Sequence, residues 1–256
     1  MSKYQFINLS IEAGIAHIEL NRPEKKNAIN DHLILELESV FLDLLGGSSS
    51  DVSAVVLSGA GDSFCSGLDL LEHKARTPFE VVKHSQMWHR IFKLIRSGGI
   101  PVISALHGAV IGGGLELAVC SHVRVAEPTA RFMLPEGRHG IFVGGGASVH
   151  VARIIGTSRM TDMMLTGRSF NAEEGERIGL VNYLVESGQG LDKAFELAIR
   201  ISENAPLSNW AMVTALSRIE SMSADDGLYT ESLTAGLTQS SDEAQKRISE
   251  FFERKK

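Results

Sequence analysis

Residues 15–20 read IAHIEL, an apolar and polar alternation close to period two that predicts a strand with one buried face, stopped by Asn21-Arg22-Pro23. Residues 31–45 (DHLILELESVFLDLL) then place apolar side chains three and four apart behind an N-capping aspartate, up to Gly46-Gly47. That spacing predicts a helix. The alternation recurs: VSAVVL at 52–57 is short and β-branched, GAGD at 59–62 is a glycine-rich loop, and helical spacing resumes over 81–95. PVISA at 101–105 predicts a third strand, Gly112-Gly113-Gly114 a turn, residues from about Leu115 a helix, and VRVA at 123–126 a fourth strand.

Strands alternating with helices predict an α/β core with functional loops at the strand ends. Beyond about Lys193 no strand pattern remains; 191–202, 206–221 and 230–256 read as helices separated by Asn204-Ala205-Pro206 and the SADDG run at 223–227. The expected organisation is therefore a core over 1–193 and a helical region over 194–256. Ser48-Ser49-Ser50 reads as a short solvated loop, and no exact internal repeat is present.

A chain of 256 residues fits one large domain, or one with a small appendage, and buries a sizeable core without metals or disulfides. With 43% hydrophobic and 22% charged residues, it is neither disordered nor fibrous. A formal charge of −6 gives no global attraction for nucleic acid or an anionic bilayer, so an anionic ligand must be met locally. Cys65 and Cys120 are the only cysteines, too few for a disulfide framework and most simply read as two buried thiols. The N-terminus alternates where a secretory signal would be continuously apolar, and no window approaches a membrane span. A soluble cytoplasmic protein is expected, and the nine histidines show no spacing that implies a metal.

Three glycines after an apolar strand remove the side chains that keep a ligand from backbone N–H groups, although tight packing is the plainer reason for such a triplet. No Gly-Lys-Ser/Thr follows, so a nucleotide triphosphate loop is not indicated. Glu116 stands two residues after the triplet in the otherwise apolar run LELAVC, where a carboxylate needs a task or a partner.

The stretch SALHGAVIGGGLELA at 104–118 closely resembles the signature of the crotonase superfamily, the enoyl-CoA hydratases and isomerases. The likeness runs nearly end to end, through IELNRP at 18–23 with Asn27-Ala28, FCSGLD at 64–69, LTG at 165–167, AEE at 172–174, IGLVN at 178–182 and FFERKK at 251–256. It implies a spiral of ββα units followed by C-terminal helices that assemble trimers or dimers of trimers.

By that resemblance the backbone amides of Leu68 and Gly113 form an oxyanion hole around a thioester carbonyl, with Glu116 and Glu136 flanking the double bond. Fixed donors aimed at the oxygen that gains charge lower the barrier to adding water, each by about 3 kcal/mol. Two carboxylates, unlike the single one an isomerase needs, divide the work of deprotonating water and protonating the α-carbon. Glu136 is expected to exchange the α-carbon proton and Glu116 to orient and activate water.

The resemblance further implies coenzyme A contacts from Ala28, Ser66, Gly67, Leu68, Asp69, Leu70, Gly112 and Gly113, with Arg22, Lys25 and Lys26 neutralising phosphates. Phe251 and Arg254 of the terminal helix, from a neighbouring subunit, are expected to add to them. Coenzyme A is then part of the substrate, and no separate cofactor is implied.

Three positions depart from the family: His122 stands in place of a common aspartate, Val143 in place of a proline, and His150 in place of a larger polar residue. His122 reads either as a hydrogen-bonded structural histidine or as an extra acid–base group. Arg138 and His139 follow Glu136 directly; aimed into an acyl pocket they favour a polar chain, and otherwise they face solvent. Trp88, with Met87 and Ile91, is either core or pocket wall. The alternatives to a hydratase are an isomerase or other lyase of the superfamily, a non-catalytic CoA-binding scaffold, and an RNA-binding homologue. The last needs a basic first helix, and residues 31–45 contain no lysine or arginine.

Overall fold

The computed structural model describes residues 3–46 and 52–253, so the loop expected at 48–50 and Arg254 lie outside the described residues. A hairpin opens the fold: β1 (Ile7–Glu12) pairs antiparallel with β2 (Ile15–Leu20) across a two-residue turn, where Ala13 and Gly14 both have positive φ. Such a turn carries the twist that the two strands need. α1 (Asp31–Gly46) buries Leu33, Ile34, Leu37, Val40, Phe41 and Leu44 along one face. Removing a side chain of that size from water contributes about 1.5–3 kcal/mol.

β3 (Ala54–Gly59) begins two residues later than its pattern suggested and is buried throughout, as a strand covered on both faces must be. α2 (Leu70–His73) is a single turn. α3 (Pro78–Ser97) starts three residues before the apolar periodicity, because Thr77 and Glu80 form a capping box and Pro78 occupies the first turn. β4 (Val102–Leu106), β5 (Ala109–Ile111), α4 (Gly113–Ala118), β6 (Val123–Ala126) and β7 (Arg131–Met133) follow in close succession. α5 (Ala147–Ile155), α6 (Thr157–Thr166) and α7 (Ala172–Arg177) precede the two-residue β8 (Tyr183–Leu184).

One sheet runs in the order β1-β2-β3-β4-β6-β8, parallel beyond the first pair. Its second layer is assembled from small pieces: Ile29 bridges Leu68, Cys65 bridges Val110 of β5, β5 pairs β7, and Phe132 of β7 bridges Phe170. Each main-sheet strand from β2 through β6 is thus followed by a second-layer piece, which is the expected ββα spiral. The repeat escapes the sequence because two of its turns contribute isolated bridges instead of strands.

α8 (Gly190–Ser202) covers the face of the sheet opposite α1, setting Ala194, Leu197 and Ala198 against Ile15, Ala54, Val56, Ile103, Ala105 and Val125. Residue 193, the expected boundary, falls inside this helix. α9 (Pro206–Ile219), α10 (Ala224–Gln239) and α11 (Asp242–Glu253) complete the chain. The single helix expected over 230–256 is two helices. Ser223 caps α10 earlier by accepting the Asp226 amide, and Ser241 accepts the Ala244 amide to start α11.

Candidate active site

The glycine triplet joins β5 to α4. Gly112 has φ +53°, and a Cβ there would come 3.0 Å from Glu136 Oε1; a Cβ on Gly114 would lie 2.1 Å from the Cys65 carbonyl oxygen. Tight packing and access to a ligand are both met by the same three residues. Gly113 sits beside Leu68: a Cβ on it would be 3.4 Å from the Leu68 nitrogen. Neither of these two amides has a protein acceptor among the described residues.

Leu68 is placed by a knot of two loops. Buried Asn27 receives the Arg22 amide and donates to the Ala60 and Ser63 carbonyls, while Ser66 and Asp69 donate their amides to the Lys26 and Ile29 carbonyls. Asp69 then caps α2 by accepting the Leu71 amide.

Glu116 projects from α4 and is 4% exposed. Its Oε1 accepts the Gly145 amide at 2.8 Å and the Ala147 amide at 3.0 Å. Burial raises its proton affinity, and the amides act in the opposite direction. Gly145 has to be glycine for this contact, since a Cβ would lie 2.7 Å from Glu116 Oε2 and 3.0 Å from the Trp88 ring.

Glu136 opens the single 3-10 turn Glu136–His139 after β7 and is 7% exposed. Its Oε2 is buried with no hydrogen-bond partner. Burial pushes its pKa up to about 7, with its own backbone amide opposing and the charge of Glu116 adding a smaller push. Glu116, Glu136, Leu68 and Gly113 all line one cavity of about 660 Å³. One carboxylate held by amides and a second poised near neutrality can receive and return a proton, beside two amides able to hold an oxygen anion.

The residues expected to bind coenzyme A divide. Arg22, Ala28, Ser66, Gly67, Leu68, Asp69 and Leu70 gather on the two knotted loops, and a Cβ on Gly67 would reach within 3.1 Å of the Gly113 nitrogen. Arg22 is already engaged through one guanidinium nitrogen. Its guanidinium is 2.8 Å from Asp69 and 2.9 Å from the Ala28 carbonyl, with both charged side chains largely buried. Lys25 and Lys26 remain exposed on the same loop. Phe251 is exposed on α11 and does not line the cavity.

His122 is structural. Its Nδ1 accepts the Val102 amide and its Nε2 donates to the Arg96 carbonyl, while burial pushes its pKa down to about 4. His150 packs against Gly146 outside the cavity, also held near 4 by burial. Arg138 turns to the Thr166 and Gly167 carbonyls, and neither it nor exposed His139 lines the cavity. Of the three apolar candidates Trp88 is both core and cavity wall, whereas Ile91 is core and Met87 packs against the core. Both cysteines are buried free thiols, pushed up to about 12.

Sequence reasoning missed the amides of Gly145 and Ala147 and the polar side of the cavity, His73 and His84. The second triplet, Gly144-Gly145-Gly146, was the available signal for the first of these. Nothing in spacing marked the histidines.

A family model for enoyl-CoA hydratase/isomerase matches residues 10–256. Short-chain-enoyl-CoA hydratase of Clostridium acetobutylicum is 32% identical over 249 residues, which is 97% of this chain and 95% of that protein. Crotonyl-CoA hydratase of Syntrophomonas wolfei is 33% identical, covering 87% and 88%. A crystal structure from Rhodopseudomonas palustris CGA009, of a protein provisionally assigned to the enoyl-CoA hydratases, superposes with a TM-score of 0.93 at 48% identity, covering 98% and 95%.

Proposed function

The chain belongs to the enoyl-CoA hydratase/isomerase family, and from that premise we propose that it adds water across the 2,3 double bond of a 2-enoyl-CoA to give a 3-hydroxyacyl-CoA. The observation that carries this reading is the convergence of Glu116 and Glu136 in one cavity with two unengaged amides, Leu68 and Gly113. Glu116 takes a proton from water as the oxygen bonds to C3. The π electrons move onto the thioester oxygen, where the two amides receive the charge. Protonated Glu136 then delivers its proton to C2 as the carbonyl reforms, a role that fits an unpartnered oxygen and a pKa of about 7.

Coenzyme A lies along the knotted loops, with Lys25 and Lys26 meeting phosphates and Ser66 and Ala28 supplying polar backbone. Arg22 acts there as a strut that holds Asp69 and the Ala28 carbonyl. Phe251 and Arg254 complete the site from the terminal helix of a neighbouring subunit in a trimer or dimer of trimers. Apolar side chains left exposed on α9 and α10, among them Leu216, Leu228, Leu233 and Leu237, support self-association. The two free buried thiols fit a reducing cytoplasm.

The test follows loss of enoyl-thioester absorbance with crotonyl-CoA and longer, branched and aromatic enoyl-CoAs, beside Glu116→Gln and Glu136→Gln. Hydration by the parent that collapses in both variants is the expected result. Conversion of 3-enoyl-CoA without hydration, lost only in Glu136→Gln, would make it an isomerase working through one carboxylate. Binding of thioesters with neither reaction would leave a scaffold.

A further inference from the structure

The wall of the cavity is built on Trp88. Its six-membered ring lies against two backbone positions that matter: a Cβ on Gly113 would come 2.7 Å from Cζ3, and one on Gly145 would come 3.0 Å from Cε3. Gly113 supplies one unengaged amide, and Gly145 supplies an amide that holds Glu116. Tilting this indole would therefore disturb both at once.

What fixes the tilt is a histidine. Trp88 Nε1 donates to His84 Nε2 at 3.1 Å, and that same nitrogen lies 3.2 Å from Asp31 Oδ1. An indole N–H can only donate and a carboxylate can only accept, so Nε2 serves one of them at a time. Asp31 has another partner, since Arg76 Nη2 approaches both of its oxygens at 2.6 Å. Trp88 Nε1 has no other acceptor among the described residues. The competition is decided for the tautomer with the proton on Nδ1. Burial and the charge of Arg76, with a smaller push from His73, lower the ring's proton affinity against the opposing pull of Asp31, which favours the neutral form that can accept from Trp88.

We propose that His84 is a positioning residue for the reaction: its Nε2 fixes the Trp88 indole across Gly113 and Gly145, so that the amide donor and Glu116 hold one geometry. The proposal rests on the hydration reading only for its kinetic readout.

The experiment places Trp88 alone by replacing exposed Trp210 with phenylalanine, which leaves one tryptophan in the chain. In that background His84→Phe, His84→Gln, Trp88→Phe and the double variant His84→Phe/Trp88→Phe are assayed with crotonyl-CoA, and indole emission is recorded. Glutamine carries an acceptor near the place of Nε2, whereas phenylalanine carries none. Expected are a roughly tenfold fall in kcat with KM within about twofold for His84→Phe, a shifted emission, and recovery of most of both in His84→Gln. The double variant should be no slower than Trp88→Phe. Full additivity of the two substitutions, no rescue by glutamine, or an effect confined to KM overturns the proposal. If the parent hydrates no enoyl-CoA, the functional reading fails while the emission shift still reports on Trp88; unchanged emission in His84→Phe refutes the positioning itself.

Discussion

Glu116 and Glu136 face one cavity from surroundings that differ in nearly every respect. Glu116 stands on a helix braced by the tightest backbone contact in the glycine triplet, and two amides hold one of its oxygens. Glu136 stands on one turn of 3-10 helix with an oxygen that touches no donor. Both are buried and both bind protons more tightly than a free carboxyl. The difference lies in what opposes burial: the amides of a separate loop favour the anion at Glu116, whereas Glu136 has only its own backbone amide, and a neighbouring charge adds to the effect of burial. Similar burial with different donors gives one group fixed in place and one free to exchange its proton.

The harshest test of that contrast removes each charge in turn. Glu136→Gln and Glu116→Gln should each lower the hydration rate by roughly 10²–10⁴-fold, measured by thioester absorbance. Only Glu116→Gln should also perturb the 144–147 loop, visible as faster amide hydrogen exchange at Gly145 and Ala147. Equal disturbance by both variants would erase the distinction. Gly145→Ala attacks Glu116 without changing it, because the new methyl has nowhere to sit; a rate loss on the order of 100-fold is expected from displaced geometry.

Acidity gives a gentler probe. With Glu136 near 7, hydration needs its protonated form and should decline as pH rises above about 7, while dehydration of the 3-hydroxyacyl product should decline below it. Stability follows the same group. The folded chain holds this proton more tightly than the unfolded chain, so the stabilisation is complete below the ordinary carboxyl value of 4.5 and is lost as pH rises to about 7. Thermal melts of Glu136→Gln should show a shallower fall over that window than the parent. Cutting the strut with Arg22→Met leaves Asp69 uncompensated and should cost about 2–3 kcal/mol in urea melts, with a raised KM for the thioester. Smallest of all, Lys25→Ala or Lys26→Ala should raise KM less than about fivefold, and less still in high salt.

The same contrast shows what the sequence makes legible. Glu116 announces itself, because a charge within LELAVC is out of place. Glu136 and the Leu68 amide look like loop residues and stand out only through the family likeness. Periodicity located the buried central strands and α1, but β5, β7 and β8 have at most three residues each, too few to show a period. Arg22 carried a charge that spacing alone could not distinguish from a phosphate ligand; its engagement with Asp69 depends on a fold that brings positions 47 apart in sequence together. The polar network behind Trp88 joins α1, the segment before α3, and α3 itself, so no local window contains it.

The spiral also has a consequence for how such a chain can change over generations. Its second turn supplies Leu68 and leads into the helices that bear His73, His84 and Trp88, its third supplies Gly113 and Glu116, and its fourth supplies Glu136. The cavity wall is completed by Ile141 to Gly145 just after Glu136, so the cavity is drawn from several separate stretches of chain. Exposed wall positions away from the Trp88 indole, such as Val82 and Phe142, can change what the cavity admits while both carboxylates stay where they are, so new substrates are open to the lineage without rebuilding the reaction.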